Sequence, residues 1–196
     1  MRHATIIAET RAWVDRVVIG LNLCPFAKAV QVHRQVRYAV CDATDEAALL
    51  VALLDALELL ARTDPTVIDT TLLIHPKVLT DFDDYNQFLG DAEALLIDAG
   101  FEGIFQLASF HPDYRFAGTA PDDVENATNR SPFPMLHLLR EASVARAVAA
   151  FPDAAAIYNE NIRTLRALDK QELRALMAEC RADALAVGQA DPLAAA

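Results

Sequence analysis

Two His-Pro steps are the residues of this sequence best suited to chemistry. His75-Pro76 and His111-Pro112 each come directly after a run of apolar residues. Imidazole exchanges protons closest to neutral pH, which suits general acid–base catalysis. Proline keeps the residue before it extended, so each imidazole would be fixed just beyond a strand. We expect His111 to act as general base or acid with His75 as its partner. The alternative is that each imidazole bonds a loop carbonyl and only caps its strand.

Two cationic segments follow the second His-Pro step, and both can bind anions. In the first, Arg115 carries a planar guanidinium that can hold a carboxylate or phosphate through two donors. Asp113 can orient an imidazole or bind a cation, so we place both residues in the predicted substrate site. The alternative is that Asp113 and Arg115 form an ordinary surface ion pair.

The second cationic segment contains Asn126, Asn129, Arg130 and Ser131. Ser131-Pro132 has the residue types of a helix N-cap followed by a first-turn proline. Unpaired N–H groups and the helix dipole attract anions at such a start, and Arg130 lies just outside it. The segment therefore predicts a phosphate or oxyanion site. The alternative is a plain helix cap with a solvated arginine.

Cys24 lies before a proline in Leu23-Cys24-Pro25-Phe26, at the start of a predicted helix. A thiol there can have a lowered pKa and serve as a nucleophile, so Cys24 is the reserve nucleophile of the predicted site. The alternative is a small buried residue at a helix boundary. The three cysteines are widely spaced and follow neither a disulfide nor a zinc pattern.

A metal site is a second interpretation of the same residues. His75, His111 and Asp113 could supply two imidazoles and a carboxylate, a set that suits iron or zinc. These residues come from separate segments and do not follow the HExxH spacing of a helical zinc site. We therefore assign no metal ligand from the sequence.

Apolar patterns predict the elements that would hold these groups in place. Runs at 36–41, 69–74 and 103–110 indicate strands separated by amphipathic helices, the second of which is capped by Asp81 and ends at Gly100. Strands that alternate with helices form a parallel sheet, and ligands bind outside the carboxyl ends of its strands. Both His-Pro steps fall at that edge, so we expect the imidazoles to meet there.

After Thr119 the apolar spacing is helical to the end of the chain, and it includes a helix that begins at Ser131 and contains His137. The predicted fold is α/β: a small, mainly parallel sheet of about three strands flanked by helices, with an all-helical C-terminal half packed on it. The alternative class is α+β. Residues 1–187 form one predicted domain and residues 188–196 a frayed tail.

Composition limits the partners and cofactors. The 196 residues carry a net charge of −11, which argues against nucleic acid or anionic membranes and leaves room for a small anionic ligand held by local arginines. With six glycines and no GxGxxG or GxxxxGK[ST] pattern, the sequence has no nucleotide signature, nor one for flavin, haem or pyridoxal phosphate. It has no signal peptide or membrane-length apolar run, so we expect a cytoplasmic location.

The longest run of uncommon residues resembles a known family. FQLASFHPDYRFAGTAPDDVENATNRSPFPMLHLLRE (105–141) and GLNLCPFA (20–27) are similar to the bacterial family called domain of unknown function 1415, with Phe133 where a tyrosine is expected. The resemblance extends over nearly the whole chain. It implies a compact α/β protein whose hallmark segments contain the candidate residues above, and it implies no activity, substrate or cofactor.

Three functions are therefore open at the level of sequence. The leading one is a hydrolase or transferase for a small anionic metabolite, with His acid–base chemistry and an anion site at Arg115, Arg130 and the Ser131 helix start. The second is the metal protein. The third is a non-catalytic binding module, which could form a homodimer through the apolar face of the late helices at 165–185.

Overall fold

The structure is a computed structural model that describes residues 2–151, 156–168 and 170–190. Its first helix, α1 (His3–Trp13), continues as a π-helical segment (Val14–Ile19) and is followed by the short helix α2 (Ala27–Val32). The remaining elements, in chain order, are β1 (Val36–Val40), α3 (Glu46–Arg62), β2 (Thr70–Ile74), α4 (Phe82–Asp98), β3 (Phe105–Phe110), a 3-10 helix (Val124–Asn129), β4 (Met135–Arg140), α5 (Glu141–Ala149), α6 (Ile157–Ala167) and α7 (Lys170–Ala190).

Helix α4 begins and ends as its sequence predicts. The Asp81 carboxylate accepts hydrogen bonds from the N–H groups of Asp83 and Asp84, which would otherwise lack a partner in the first turn. At the other end, Gly100 has a φ of 77°, the left-handed conformation that commonly ends a helix. These caps fix where the chain enters and leaves the sheet on either side of α4.

The four strands form one mixed sheet in the order β1-β2-β4-β3. β1 and β2 are parallel, whereas β4 is antiparallel to both β2 and β3. Strands β1, β2 and β3 therefore run in the same direction, and the carboxyl ends of β2 and β3 lie at the same edge. The two strands that carry the His-Pro steps are not neighbours, because β4 lies between them.

The prediction of a helix beginning at Ser131 is wrong: residues 135–140 form the central strand β4, and Ser131 lies in the segment that leads into it. Met135, Leu136 and Leu138 are completely buried because helices cover both faces of the sheet. A strand buried on both faces is apolar at successive positions, so it lacks the alternation that would separate it from a helix. Without that helix, Ser131 has no helix dipole to attract an anion.

Helices pack on both faces of the sheet. On the face that we call the α4 face, α3 and α4 cover Leu73, Leu136 and Leu138. On the α1 face, the segments around Trp13 and Val17, together with α6 and α7, cover alternate strand residues such as Leu72, Ile74 and Met135. Three layers of this kind confirm the predicted sheet flanked by helices. The three predicted strands all run in one direction, and the unpredicted β4 between two of them makes the sheet mixed rather than mainly parallel.

The C-terminal part after β4 is helical, as predicted. α7 continues to Ala190, past Gly188 where a frayed tail was expected, and residues 191–196 of that expected tail lie outside the described residues. None of the described helices has the length and apolar character needed to cross a membrane.

Candidate functional site

His75 and His111 both contact Tyr85 of α4, at the carboxyl edge of the sheet. The Tyr85 ring lies 5.8 Å from the His75 ring in a stacked arrangement and 5.1 Å from the His111 ring. The Tyr85 hydroxyl donates to the Met135 carbonyl at 2.8 Å and accepts from the Phe110 N–H at 3.1 Å. One phenol thus ties the end of β3 to the start of β4 and brings the two imidazoles into one cluster.

Backbone groups occupy three of the four imidazole nitrogens. His75 Nδ1 lies 3.0 Å from the Val78 carbonyl, and His111 Nε2 lies 3.3 Å from the Leu79 carbonyl, so both of these nitrogens carry the proton. His111 Nδ1 accepts from the Asp113 N–H at 3.0 Å. His75 Nε2 is buried and has no hydrogen-bond partner among the described residues.

Burial keeps both imidazoles neutral. Each side chain is 0% exposed. Desolvation lowers the pKa of His75 to about 4 and also lowers the pKa of His111. Neither ring reaches solvent in this conformation, so the catalytic role predicted for the pair requires movement of the loop that supplies the Val78 and Leu79 carbonyls.

Arg115 and Asp113 have separate partners at the surface. The Arg115 guanidinium donates to the Asp83 carboxylate at 2.6 Å and lies over the Phe82 ring, 5.4 Å from its centroid. Asp113 is exposed, and its backbone N–H rather than its carboxylate contacts the His111 ring. The geometry of Arg115 corresponds to the surface ion pair that was the alternative interpretation, although with Asp83 rather than Asp113.

Asn126 organises the loop between β3 and β4. Its side chain is completely buried, and its Nδ2 donates to the Ala120 carbonyl at 2.8 Å. Its Oδ1 accepts from the Phe116 N–H at 2.9 Å and from the Thr119 hydroxyl at 2.7 Å. These three bonds use the amide within the protein and give the loop a fixed shape.

Asn129 and Ser131 also bond the backbone. Asn129 Nδ2 donates to the Ser109 carbonyl at 3.1 Å, and the buried Ser131 hydroxyl donates to the Phe133 carbonyl at 2.7 Å. The His111 backbone joins this segment, because its N–H donates to the Asn129 carbonyl at 3.2 Å. The segment is therefore held beside the second His-Pro step, as expected, although its polar side chains serve the loop.

The Arg130 side chain lines a cleft together with residues of the α1 face. Its Nε donates to the Tyr114 carbonyl at 3.4 Å and one Nη donates to the Pro121 carbonyl at 2.6 Å. The cleft has a volume of about 230 Å³, and we call it the Arg130 cleft. Arg174 of α7 lines it as well, and the other lining residues are apolar: Val17, Pro112, Ala127, Leu173 and Met177.

Sequence reasoning missed Arg174 and the cleft it helps to form. Leu173 and Met177 are one helical turn apart in α7, a spacing that the sequence displays, and they pack partly buried on the α1 face. The arginine between them is ordinary for a helix surface. Its significance depends on α7 docking beside the loop that carries Arg130, and no local pattern encodes that docking.

Cys24 lies apart from the imidazoles. It follows Leu23, which packs on the α1 face, whereas both His rings lie on the α4 face. Burial raises the pKa of the Cys24 thiol, although hydrogen bonds from the backbone at Phe26 and Ala27 act in the opposite direction. A thiol with a raised pKa is protonated at neutral pH and is a weak nucleophile.

A second, more open cleft of about 540 Å³ lies at the starts of α3 and α4. It is lined by the Val78–Asp81 segment and by the acidic residues Asp45, Glu46, Asp81 and Asp84. Two of these carboxylates are helix caps. Across the described residues, no three His, Cys, Asp or Glu side chains are placed to hold a metal ion, so His75, His111 and Asp113 do not assemble the ligand set of the metal interpretation.

Comparison with known proteins identifies a family for this chain. A family described as "Protein of unknown function (DUF1415)" matches residues 5–175, a span that contains every candidate residue discussed above. No curated protein and no solved structure matches the chain.

Proposed function

Because the chain belongs to this DUF1415 family, whose description carries no activity, we propose its function from its own geometry: it binds a small organic anion in the Arg130 cleft. The observation that carries the proposal is the pair of arginines, Arg130 and Arg174, in a cleft whose other lining residues are apolar. The predicted anionic ligand is kept in this proposal, with Arg130 as its one predicted binding residue and with Arg174 added.

Electrostatics support an anion at this cleft. A protein with a net charge of −11 repels anions over most of its surface, so an anion needs a local positive field to bind. The Arg130 cleft has two cationic lining residues and no acidic one, whereas the more open cleft has four acidic lining residues. Of the two, only the Arg130 cleft has the charge that an anion requires.

Arg130 is held in position before any ligand arrives. The Tyr114 and Pro121 carbonyls accept from two of its five N–H donors, which fixes the guanidinium. The other three donors have no acceptor among the described residues, and Arg174 makes no hydrogen bond or ion pair within that part of the chain. A fixed cation with unused donors loses little conformational entropy on binding, which favours affinity.

A hydrolase or transferase is the second candidate function. One observation favours it: His75 Nε2 is a buried basic nitrogen without a partner in the described chain, and such groups are often found at functional sites. The Arg130 cleft itself is lined by no acid, base or nucleophile. A catalytic version therefore needs the 76–80 loop to open and expose the two imidazoles.

We propose that the protein does not bind nucleic acid, because its net charge of −11 repels the phosphate backbone. Cys24, Cys41 and Cys180 are free thiols, which supports a reducing compartment such as the cytoplasm. A homodimer through the late helices would use little of the predicted face, since Leu165 is buried and Leu173, Leu176 and Met177 pack on the α1 face, while Leu185 is exposed.

A thermal-shift screen of small organic anions at constant ionic strength tests the binding proposal. We expect at least one anion to raise the melting temperature of the wild-type protein, and Arg174→Ala to abolish that shift. Arg62→Ala is the matched control, because Arg62 is an exposed arginine of α3 on the opposite side of the sheet. An equal shift in Arg174→Ala and wild type, or no stabilising anion at all, would contradict the proposal.

A further inference from the structure

We propose that the ligand of the Arg130 cleft is a short monocarboxylate with an apolar chain, bound with its carboxylate at Arg130 and Arg174 and its chain against the apolar wall. This inference rests on the proposed function, because it names the chemical class of the anion in the same cleft. Three properties of the cleft carry it: its polar groups, its apolar wall and its size.

The polar groups of the lining side chains match a carboxylate. Arg130 and Arg174 provide guanidinium N–H donors, and the other five lining side chains are apolar. A guanidinium offers parallel donors in a plane, which pair with the two oxygens of a carboxylate. A phosphate monoester carries up to two charges and three terminal oxygens, and it is usually surrounded by backbone N–H groups or a lysine as well.

The apolar wall requires that the ligand also have an apolar part. Val17, Ala127 and Leu173 come from three separate elements, the π-helical segment, the 3-10 helix and α7, and they share this cleft with Pro112 and Met177. An anion covered with hydroxyl groups would leave its own polar atoms unpaired against such a wall, which is unfavourable. A hydrocarbon chain instead removes both surfaces from water, and each added methylene tightens binding about fourfold.

The size of the cleft limits the length of the chain. Its volume of about 230 Å³ is below the range of drug-sized ligand pockets. A cleft of this volume can enclose only a ligand that is smaller than a drug-sized molecule. We therefore expect an acid no longer than about hexanoate to fit fully inside.

The experiment measures dissociation constants by calorimetry for acetate, butyrate, hexanoate and octanoate with the full chain at constant ionic strength. We expect affinity to rise about fourfold per methylene up to hexanoate and then to level off. The neutral hexanamide should bind at least about tenfold more weakly than hexanoate, because the charge-assisted bonds to the guanidiniums are lost. Hexyl phosphate should also bind more weakly than hexanoate.

Two variants test which side chains contact the carboxylate of the ligand and which contact its apolar chain. Arg174→Ala should remove the preference for hexanoate over hexanamide, and Met177→Ser should reduce the gain per methylene. Leu185→Ser is the control for the second variant, because Leu185 is on the same helix, 51% exposed, and does not line the cleft. We expect Leu185→Ser to bind the whole series like wild type.

The outcomes separate this inference from the proposed function. If hexyl phosphate or a dicarboxylate binds more tightly than hexanoate and Arg174→Ala weakens it, the cleft binds anions and the monocarboxylate inference is wrong. The monocarboxylate inference is equally wrong if affinity does not depend on chain length. If no tested anion binds, or if binding does not respond to Arg174→Ala, both the inference and the proposed function are wrong.

Discussion

The polar side chains on the two faces of the sheet differ in burial and in how many of their hydrogen-bonding groups have a partner. On the α4 face, His75 and His111 are completely buried, and backbone groups bond three of their four nitrogens. On the α1 face, Arg130 and Arg174 line a cleft and keep donors that no described residue uses. Residue type alone points to the histidines, whereas unused bonding capacity at an accessible surface points to the arginines.

A single loop contributes residues to both faces of the sheet. The loop between β3 and β4 begins with His111, whose ring lies against Tyr85, and continues through Pro112 to Arg130, which both line the Arg130 cleft. The His111 N–H donates to the Asn129 carbonyl, so the two ends of the loop are joined beside the sheet. The cluster on the α4 face can therefore stabilise the loop that shapes the cleft without contacting a ligand.

The largest effect should come from the centre of the α4 face. We expect Tyr85→Ala to lower the free energy of unfolding by about 3–5 kcal/mol, because it removes a completely buried ring and two backbone partners. Tyr85→Phe isolates the hydroxyl and should lower it by about 2 kcal/mol. Urea unfolding followed by the fluorescence of Trp13 measures both values. A loss below about 1 kcal/mol for Tyr85→Ala would show that the cluster does not support the fold.

Acid should destabilise the same face through His75. Its folded pKa of about 4 lies below the unfolded value of about 6.5, so the unfolded chain binds the proton more readily. The contribution is fully present above pH 6.5 and is lost as the pH falls from 6.5 to 4, by up to about 3 kcal/mol.

Unfolding curves at intervals between pH 7.5 and pH 4.5 measure this dependence. We expect His75→Gln to have a shallower decline in stability than wild type. His33→Gln is the control, because His33 is an exposed histidine. Identical slopes for wild type and His75→Gln would rule out a buried neutral imidazole at this position.

Substitution of the two cleft arginines should affect anion binding more than stability. Arg130→Met removes two hydrogen bonds to loop carbonyls and should lower the free energy of unfolding by about 1–2 kcal/mol. Arg174 makes no such bonds among the described residues, so Arg174→Ala should change the free energy of unfolding by less than about 0.5 kcal/mol. Both variants should lose the anion-dependent thermal shift. A large destabilisation by Arg174→Ala would instead make that residue structural and weaken the contrast between the faces.

The smallest effect is expected at Cys24. Because burial raises the pKa of its thiol, iodoacetamide at pH 7.5 should alkylate Cys24 several-fold more slowly in the folded protein than in urea. Peptide mass spectrometry follows the reaction at each cysteine. Cys24→Ser should leave the anion-dependent thermal shift unchanged. Faster alkylation in the folded state would make Cys24 a candidate nucleophile again.

Local patterns predict the elements that carry their own signals. β2 is predicted at 69–74 and spans Thr70–Ile74, and α4 is predicted from its Asp81 cap and Gly100. β4 carries a misleading signal, because Ser131-Pro132 has the residues of a helix start and Leu136 and Leu139 have helical spacing. The second proline, Pro134, and the apolar run after it, which only His137 interrupts before Arg140, are the features that favour a buried strand.

The candidate site is only partly predictable for a related reason. Two His-Pro steps after strands of the same direction predict that the imidazoles approach one another, and both contact Tyr85. Their burial depends on α4 and the 76–80 loop, which cover them. The Arg130 cleft depends on α7, whose Arg174 is far from Arg130 in sequence. Contacts between distant segments are set by tertiary packing, which short sequence windows do not contain.

The central position of β4 affects how the chain folds during its synthesis. As the ribosome extends the nascent chain, β1 and β2 can pair early, but β3 emerges with no strand to join, because its backbone partner is β4. Until residues 135–140 arrive, the edges of β2 and β3 that face each other stay open, and the phenol of Tyr85 lacks the Met135 carbonyl. Closing such distant pairs is the slow step of sheet formation. The sheet is therefore complete only once residues 135–140 have joined it, and the loop with Arg130 has an ordered strand at each of its ends only from that point.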